Sequence, residues 1–391
     1  MYYNRALNIS AALEKKSILL LGPRRTGKSQ LIANEVRPDL CINLLHSDEF
    51  QRFSARPSLI REIIGGKKVI AIDEIQKVPD LMDEVHSLIE SRPSTRFLLT
   101  GSSARKLKKS HTSLMAGRLR TYHLHPFVTS ELHPASSSSA QGFVEFENFF
   151  AQRLQSGFLP PVVTSEDPQE ELADYAGDYL REEISQEGWV RNVGPFARFL
   201  QFAAACQAQL LNFEKTASDA QIPARTIREY FHILEDTLLG KLLPPFQSQG
   251  KRKPMTKAKF YFFDIGVCHS LLGVKSLPSS GALIGTAFES VLFQELSAFL
   301  DYRKDSRPLC HWRTQDKHEV DFVIGSDVAI EVKYTQNVTD RDLVGLRALG
   351  IDAKMNRKLI VSRDPYHRQI GEIESMHVCK FLEELWSNKI L

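Results

Sequence analysis

The chain has 391 residues, of which 42% are hydrophobic and 25% are charged, and its 50 Lys plus Arg against 47 Asp plus Glu leave a formal net charge of +3. This length predicts two or three domains, each able to bury its own core, and the near balance of charge means that any basic, nucleic-acid-binding surface must be local. The five cysteines form no Cys-x-x-Cys pair, and we see neither a signal peptide nor an apolar run of membrane-spanning length, so we expect a cytoplasmic protein with no membrane partner.

Short apolar runs alternate with polar, helix-like stretches through the first third of the chain. This rhythm predicts an α/β fold with a parallel sheet and crossover helices. The apolar runs are residues 17–21, 41–45, 69–72, 97–100 and 121–124. The turn-forming segment HPASSSSAQG follows them, and it predicts a loop and a domain boundary near residue 133.

A complete phosphate-binding loop, GPRRTGKS at residues 22–29, follows the first apolar run and precedes a helical stretch. Its glycines let backbone N–H groups curl around phosphate, and the following helix presents its positive end. We expect Lys28 to bind the β and γ oxygens of ATP and Ser29 to coordinate Mg²⁺. The predicted nucleotide contacts are Gly22, Pro23, Arg24, Arg25, Thr26, Gly27, Lys28, Ser29 and Gln30. The alternative is a glycine-rich turn with an incidental lysine, which the strand, loop and helix order opposes.

Two adjacent acids end the apolar strand KKVIAIDEI. Carboxylates at the end of a buried strand are costly unless a positive charge lies beside them. We expect Asp73 to hold Mg²⁺, directly or through water, and Glu74 to act as the base that orients the attacking water. The alternative is that the pair only caps the helix that follows.

Polar residues near two later strands are further candidates. The strand RFLLTGSS ends in small hydroxyl residues, so Thr100 or Ser102 is expected to sense the γ-phosphate. Arg118 and Arg120 precede the fifth apolar run, and we expect Arg118 to act on the ATP of a neighbouring subunit in a homo-oligomer. The alternative for both arginines is a solvated or ion-paired surface position.

Residues 143–250 have a mostly helical pattern. Within them, a short helix, a turn and the helix ARTIREYFHILEDT follow in helix-turn-helix order, with Arg225 and Arg228 facing outward toward a phosphate or a base edge. A unit that only packs or joins subunits is the open alternative. The basic stretch KRKPMTKAK, residues 251–259, is either a phosphate contact or a solvated linker.

Three acids and a lysine mark the last third of the chain. Counting inward from the turn Gly325-Ser326-Asp327 sets Asp321 opposite Glu331, with Cβ atoms roughly 5 Å apart, and opposed like charges favour a divalent cation between them. Glu289, on a predicted helix, would complete an oxygen-rich Mg²⁺ or Mn²⁺ site. Lys333 shares a strand face with Glu331 and would stabilise a scissile phosphate or orient a water.

Together these segments resemble the bacterial and archaeal AAA-type (AAA+) P-loop ATPases that carry a C-terminal domain of unknown function with nuclease-like features. The resemblance spans nearly the whole chain. Its carriers are GPRRTGKS, VIAIDEIQKVP, FLLTGSS, AGRLRTYHLHPF, DYLREEI, ARTIREYFHILEDTLLGKLLPPF, KFYFFDIGV and GTAFESVLFQEL. The resemblance implies an ATPase domain at 1–133, a helical connector at 134–190, a winged-helix-like segment at 191–250 and a PD-(D/E)XK nuclease-like, restriction-endonuclease-like domain at 251–391.

The sequence therefore predicts an oligomeric, Mg²⁺-dependent ATP hydrolase that binds or processes DNA through a metal-dependent nuclease-like domain. The alternative from another class is a nucleotide-driven regulatory or scaffold switch whose nuclease fold is inert. RNA as the nucleic acid is a third, weaker interpretation, since no RNA-stacking aromatic module is evident.

Overall fold

The computed structural model describes residues 2–102, 117–133, 139–179, 193–247 and 255–391. These residues divide into two units. The N-terminal unit comprises Met1–Pro126 and Asp236–Leu239, and the C-terminal unit comprises Phe127–Glu235 and Gly240–Leu391.

Five parallel strands form the sheet of the N-terminal unit. They are β1 (Ile18–Leu21), β2 (Leu40–Asn43), β3 (Val69–Asp73), β4 (Arg96–Gly101) and β5 (Arg120–His123). Their order is β2-β3-β4-β1-β5, which confirms the predicted parallel sheet. All four residues of β1 are buried, as expected for a strand covered on both faces. Because β4 lies between β1 and β3, residues at the ends of these three strands are neighbours.

The helices of this unit cover the sheet and bury its apolar side chains. They are α1 (Ile9–Lys15), α2 (Lys28–Leu31), α3 (Ser47–Ala55), α4 (Ile60–Ile63) and α5 (Pro79–Ser91), with a π-helical turn at Ile32–Val36 and 3₁₀ turns at Pro57–Leu59 and Ile75–Lys77. The core joins Phe53 of α3 and Leu81 of α5 to Ile72 and Phe97 of the sheet. This packing holds the carboxyl ends of the strands in place.

The first part of the C-terminal unit is helical, as predicted. Its helices are α6 (Thr129–Leu132), α7 (Ala140–Ser156), α8 (Pro160–Thr164), α9 (Pro168–Asp174), α10 (Val193–Ala205), α11 (Phe213–Ala220), α12 (Ala224–Asp236) and α13 (Ile265–Leu271), with a π-helical turn at Tyr175–Tyr179. The inner stripe of α12 is buried, including Ile227, Tyr230 and Leu234.

A small antiparallel sheet accompanies these helices. Its strands are β6 (Gln209–Leu210), β7 (Gly240–Leu243) and β8 (Lys259–Phe262), in the order β6-β8-β7. Strand β8 comes after residue 250, in the segment that the sequence analysis assigned to the nuclease-like domain. The middle sheet thus takes its central strand from that segment.

A mixed sheet of six strands forms the last part of the C-terminal unit. The strands are β9 (Leu309–Arg313), β10 (Glu319–Ile324), β11 (Val328–Lys333), β12 (Arg357–Ser362), β13 (Arg368–Ile370) and β14 (Ile373–His377), with helices α14 (Ala282–Arg303), α15 (Val344–Asp352) and α16 (Val378–Trp386) and a 3₁₀ turn at Asp340–Leu343. The order is β13-β14-β12-β11-β10-β9, and β11, β12 and β14 run parallel.

Helix α14 corrects one expectation. By length and composition it can cross a membrane, with a mean hydropathy of 1.3 over its most apolar window, so the statement that no apolar run approaches that length was wrong. The folded unit buries 78% of that window, because α14 packs against α7, β11 and α16. It is a core helix, and it carries Glu289, whose side chain is 17% exposed.

Glycine at position 345 allows helix α15 to touch strand β10. A Cβ atom built on Gly345 would lie 1.8 Å from the carbonyl oxygen of Glu319. Since backbone cannot give way as a side-chain end can, the helix needs a glycine at this position.

We expect Gly345→Ala to destabilise the C-terminal unit by about 1–3 kcal/mol or more, because the new methyl group forces the helix off the strand. The matched control is Gly285→Ala in helix α14, where an added Cβ meets nothing within 4 Å and the helix gains about 0.5–1 kcal/mol. Urea unfolding midpoints of the two variants check this, and equal midpoints would contradict the close approach of helix and strand.

Candidate nucleotide site and carboxylate cluster

The phosphate-binding loop, residues 22–29, leaves the carboxyl end of β1 and enters α2. A Cβ on Gly22 would lie 2.5 Å from the carbonyl oxygen of Leu124, so no larger residue fits there. Gly27 has φ +93°, a left-handed conformation that favours glycine. The structure therefore explains why both fixed positions of the motif, 22 and 27, hold glycine.

The side chain of Lys28 points back into the phosphate-binding loop. Its ammonium is buried and donates to the carbonyl oxygens of Gly22 at 2.8 Å and Pro23 at 3.1 Å. The buried Thr26 hydroxyl also donates to Pro23, at 2.8 Å. Of the other predicted contacts, Arg24 is half-buried, while Arg25 and Gln30 are exposed. The loop thus holds a buried positive charge at its centre.

Ser29 and Asp73 meet across the strand ends. The Ser29 hydroxyl donates to Asp73 Oδ2 at 2.5 Å, and the Thr100 hydroxyl donates to Asp73 Oδ1. Thr100 also accepts from the Glu74 amide at 3.1 Å. The cause is the strand order, since Thr100 is the next-to-last residue of β4, and β4 lies between β1, which precedes the loop, and β3, which ends at Asp73. The predicted magnesium residues, base and sensor are therefore neighbours.

Glu74 is held by a residue that the sequence analysis did not single out. It has a left-handed backbone (φ 58°), is 6% exposed, and its carboxylate accepts from the side-chain amide of Gln76. The same amide nitrogen donates to Ser102 Oγ at 3.2 Å, and Gln76 Oε1 is buried without a hydrogen-bond partner among the residues described. The sequence feature that could have identified Gln76 is its position, two residues after the predicted base Glu74.

Arg5 is a second residue that the sequence analysis missed. Its guanidinium donates to the carbonyl oxygens of Thr26 at 2.8 Å, His125 at 2.7 Å and Pro126 at 3.2 Å. It joins the N-terminal segment to the phosphate-binding loop and to the segment after β5. No local pattern marks such an interaction, because the three acceptors are backbone groups distant in sequence.

Arg118, the predicted arginine finger, makes contacts within its own unit. Its guanidinium forms an ion pair with Glu90 and contacts His86 Nε2, and its side chain is 41% exposed. Within this chain, Arg118 is therefore ion-paired, as the alternative to an arginine finger predicted. Its action on a neighbouring subunit stays a prediction.

The four acids and three cations near β10 form the second candidate site, here called the carboxylate cluster. The pairs Phe322–Ile330, Val323–Ala329 and Ile324–Val328 fix the β10–β11 register. Extending this register by one pair sets Asp321 opposite Glu331, which is the pairing predicted by counting from the turn. Its members are Glu289, Glu319, Asp321, Glu331, Lys259, Lys333 and Arg313.

A lysine ammonium lies among the acids of this cluster. Lys259 Nζ is 2.9 Å from Glu289 Oε1, 2.6 Å from Glu319 Oε1 and 3.1 Å from Asp321 Oδ1, and its side chain is 3% exposed. Lys333 Nζ lies 2.5 Å from Glu331 Oε1. Glu331 Oε2 is buried and has no hydrogen-bond partner within the described parts of the chain.

Burial and neighbouring charges shift the pKa values of these acids in different directions. Burial, and then the neighbouring Asp321, raise the pKa of Glu289 to about 7 and hold the pKa of Glu331 well above its usual range. Burial opposes ionisation of Asp321 too, but the ammonium groups of Lys259 and Lys333 hold its pKa below the usual value. The pKa of Lys259 is raised well above its ordinary value despite burial, because the surrounding acids favour the charged form.

The predicted metal residues Glu289, Asp321 and Glu331 lie in one cluster, with a lysine ammonium among them. Across the described ranges, no three Asp, Glu, His or Cys side chains are placed to hold a metal ion. Two of the expected ligands, Glu289 and Asp321, are bound by Lys259 instead. The prediction that the basic stretch at 251–259 contacts phosphate or solvent is wrong for Lys259, whose side chain is 3% exposed and pairs with acids. Residues 251–254 of the stretch lie outside the described residues.

The phosphate-binding loop lies within a segment that matches a known domain family. A sequence profile described as an AAA domain matches residues 14–133. The chain therefore carries an AAA domain. Two profiles described as domains of unknown function follow it, DUF8612 at residues 147–277 and DUF4143 at residues 284–381. An AAA domain implies binding and hydrolysis of ATP with Mg²⁺.

Similar curated proteins span most of this chain. One from Mycobacterium tuberculosis and one from Mycobacterium bovis are each 28% identical over 371 residues, covering 91% of this chain and 78% of the relative. One from Haemophilus influenzae is 26% identical over 395 residues, covering 94% and 91%. All three are named as uncharacterized proteins, so they extend the likeness across the chain without supplying an activity.

We expect Arg5→Ala to loosen the AAA domain around its loop by about 1–3 kcal/mol, because three backbone carbonyl oxygens are left without a charged donor. Hydrogen exchange of the amides of residues 22–31 should be faster in this variant. The matched control, Arg56→Ala, removes only an exposed ion pair with Glu62 and should leave that exchange unchanged. Unaltered exchange in Arg5→Ala would show that these hydrogen bonds do not hold the loop.

Proposed function

We propose that the AAA domain hydrolyses Mg-ATP with Ser29, Asp73 and Glu74. The observation that supports this most strongly is the hydrogen bond from Ser29 Oγ to Asp73 Oδ2 at 2.5 Å. It joins the hydroxyl of the phosphate-binding loop to a carboxylate from another strand, and a hydroxyl and a carboxylate are the oxygen groups that hold Mg²⁺ in phosphate-loop enzymes. Bound Mg-ATP would supply the reacting phosphoryl group.

The chain's own residues then have distinct roles. Lys28 exchanges its bonds with the Gly22 and Pro23 carbonyls for bonds with phosphate oxygens, so its charge is available without a new burial cost. Glu74 accepts a proton from the attacking water, and Gln76 orients the Glu74 carboxylate. Thr100 fixes the other oxygen of Asp73 and is placed to sense the γ-phosphate.

Two substitutions separate binding from hydrolysis. We expect Lys28→Ala to abolish nucleotide binding, and Glu74→Gln to retain Mg-ATP binding while lowering kcat by about 10²–10⁴-fold, because only the base is removed. Calorimetry of Mg-nucleotide binding and phosphate release measure the two effects. A control is Glu49→Gln on helix α3, where turnover should be unchanged. Normal turnover in both Lys28→Ala and Glu74→Gln would end the proposal.

We further propose that the AAA domain acts as a homo-oligomer, with Arg118 reaching a neighbouring subunit's ATP. The support is the partly exposed side chain of Arg118, two residues before strand β5. Exchange of the Glu90 ion pair for an interaction with phosphate would then link assembly to turnover.

We propose that the middle segment is a winged-helix unit that binds DNA. The support is the element order α10, β6, α11, α12, β7 and β8, with a three-stranded sheet beside a helix-turn-helix pair. On α12, Arg225 pairs with Glu229 and Arg228 pairs with Glu214, so both arginines are partly neutralised. The basic residues Lys251 to Lys253, between β7 and β8 in sequence, are the better candidates to bind phosphate.

We expect replacement of Lys251, Arg252 and Lys253 together by Ala to weaken duplex DNA binding and to flatten its salt dependence, by about 0.9 in log–log slope for each DNA phosphate that the variant no longer neutralises. Binding titrations at several salt concentrations check this. The matched control is Arg225→Ala with Arg228→Ala, which removes two cations that already have acidic partners. Absence of DNA binding by the native protein would favour the regulatory or scaffold switch.

We propose that the six-stranded sheet with helix α14 is a nuclease-like fold of the PD-(D/E)XK kind. Its support is the placement of Glu289 on the helix, Asp321 on one strand, and Glu331 and Lys333 on the next. The switch hypothesis, in which this fold does not cut, gains a specific observation from the position of Lys259 in the carboxylate cluster.

A further inference from the structure

We propose that Lys259 is the built-in cation of the carboxylate cluster, and that its ammonium takes the position of a divalent metal ion, so that the nuclease-like fold does not cut nucleic acid. This rests on the nuclease-like fold proposed above and is independent of ATP hydrolysis. It follows from the number of partners around the ammonium, the balance of charge, and the strand that carries Lys259.

The ammonium of Lys259 has as many acidic partners as it has N–H donors. A lysine ammonium donates three hydrogen bonds, and Glu289, Glu319 and Asp321 each place an oxygen within 3.1 Å of Nζ. The remaining Asp321 oxygen accepts from the Val332 amide at 2.9 Å. Both oxygens of Asp321, the acid at the centre of the predicted metal set, are therefore engaged.

The charge of the cluster is already close to balanced. Four acids face Lys259, Lys333 and Arg313, and the Arg313 guanidinium lies 3.0 Å from the second oxygen of Glu319. A divalent cation entering between Asp321 and Glu331 would meet the buried ammonium of Lys259 at close range. Because the ammonium is 3% exposed, water does little to screen that repulsion.

Lys259 is held in place by backbone pairing. As the first residue of β8, it pairs with Leu243 of β7 and with Leu210 of β6. Tyr261, two residues along the same strand face, donates from its hydroxyl to Glu289 Oε1 at 2.5 Å. The small sheet thus presents a lysine and a tyrosine to the acids, and the ammonium cannot leave without disturbing a central strand.

The cluster consequently joins the small sheet, helix α14 and the β10–β11 hairpin by ionic interactions. Cutting a phosphodiester with this type of acid pair needs a divalent cation to stabilise charge and activate water. With Lys259 in place, the acids are occupied by an ammonium and the divalent cation is excluded, so the fold does not hydrolyse a phosphodiester.

Replacement of Lys259 by Met tests the proposal, because Met keeps the bulk of the side chain and removes its charge. We expect the native full-length chain to show no Asp321-dependent Mn²⁺ binding by electron paramagnetic resonance and no Mn²⁺-dependent rise in Tm. Lys259→Met should lower Tm in chelator, and millimolar Mn²⁺ should restore it. Adding Asp321→Asn to Lys259→Met should abolish the restoration, which assigns the bound Mn²⁺ to this cluster.

Lys259→Arg is the second variant, since it keeps the charge and should behave like the native chain even if Lys259→Met does not fold. Mn²⁺ that binds the native chain and fails to bind Asp321→Asn would overturn the proposal. So would Mn²⁺-dependent cutting of duplex, single-stranded or branched DNA that Asp321→Asn abolishes. All metal-binding measurements omit nucleotide, so failure of the ATPase proposal would leave their result unaffected.

Discussion

Compensation of buried negative charge organises both candidate sites. A carboxylate in a protein interior needs hydrogen-bond donors or a cation beside it, and its position is constrained by the element that supplies them. In the AAA domain, Asp73 is 2% exposed and receives hydroxyl donors from Ser29 and Thr100. These donors come from the phosphate-binding loop and from strand β4, so the strand order decides the composition of the site.

The C-terminal unit meets the same requirement with a lysine. Glu289, Glu319 and Asp321 surround Lys259, which arrives on a strand of a different sheet. In our proposals, Asp73 exchanges its hydroxyl partners for Mg²⁺, whereas the ammonium of Lys259 stays bound to three acids and excludes a metal. Two acid groups that look alike in sequence would then differ in their capacity to take a cation.

Local patterns predicted the parts of the fold that depend on neighbouring residues. The alternation of apolar runs indicated the parallel sheet, and the strand, loop and helix order around residues 22–29 indicated the phosphate-binding loop. Counting from the turn at Gly325 set Asp321 opposite Glu331. Each prediction needed only the period of an element or the geometry of one connection. Helix α14 shows the limit, because composition alone does not separate a buried core helix from a membrane-spanning one.

The sequence by itself determined the parallel sheet with its phosphate-binding loop, the helical middle and the pairing of Asp321 with Glu331, because glycine, acid and apolar spacings specify them locally. Only the tertiary structure decided which groups meet: Arg5 with the loop carbonyls, Gln76 with Glu74, and Lys259 with the acids. Lys259 and Asp321 are separated by 62 positions. Interactions over such separations depend on strand order and sheet packing, and a single sequence does not display these.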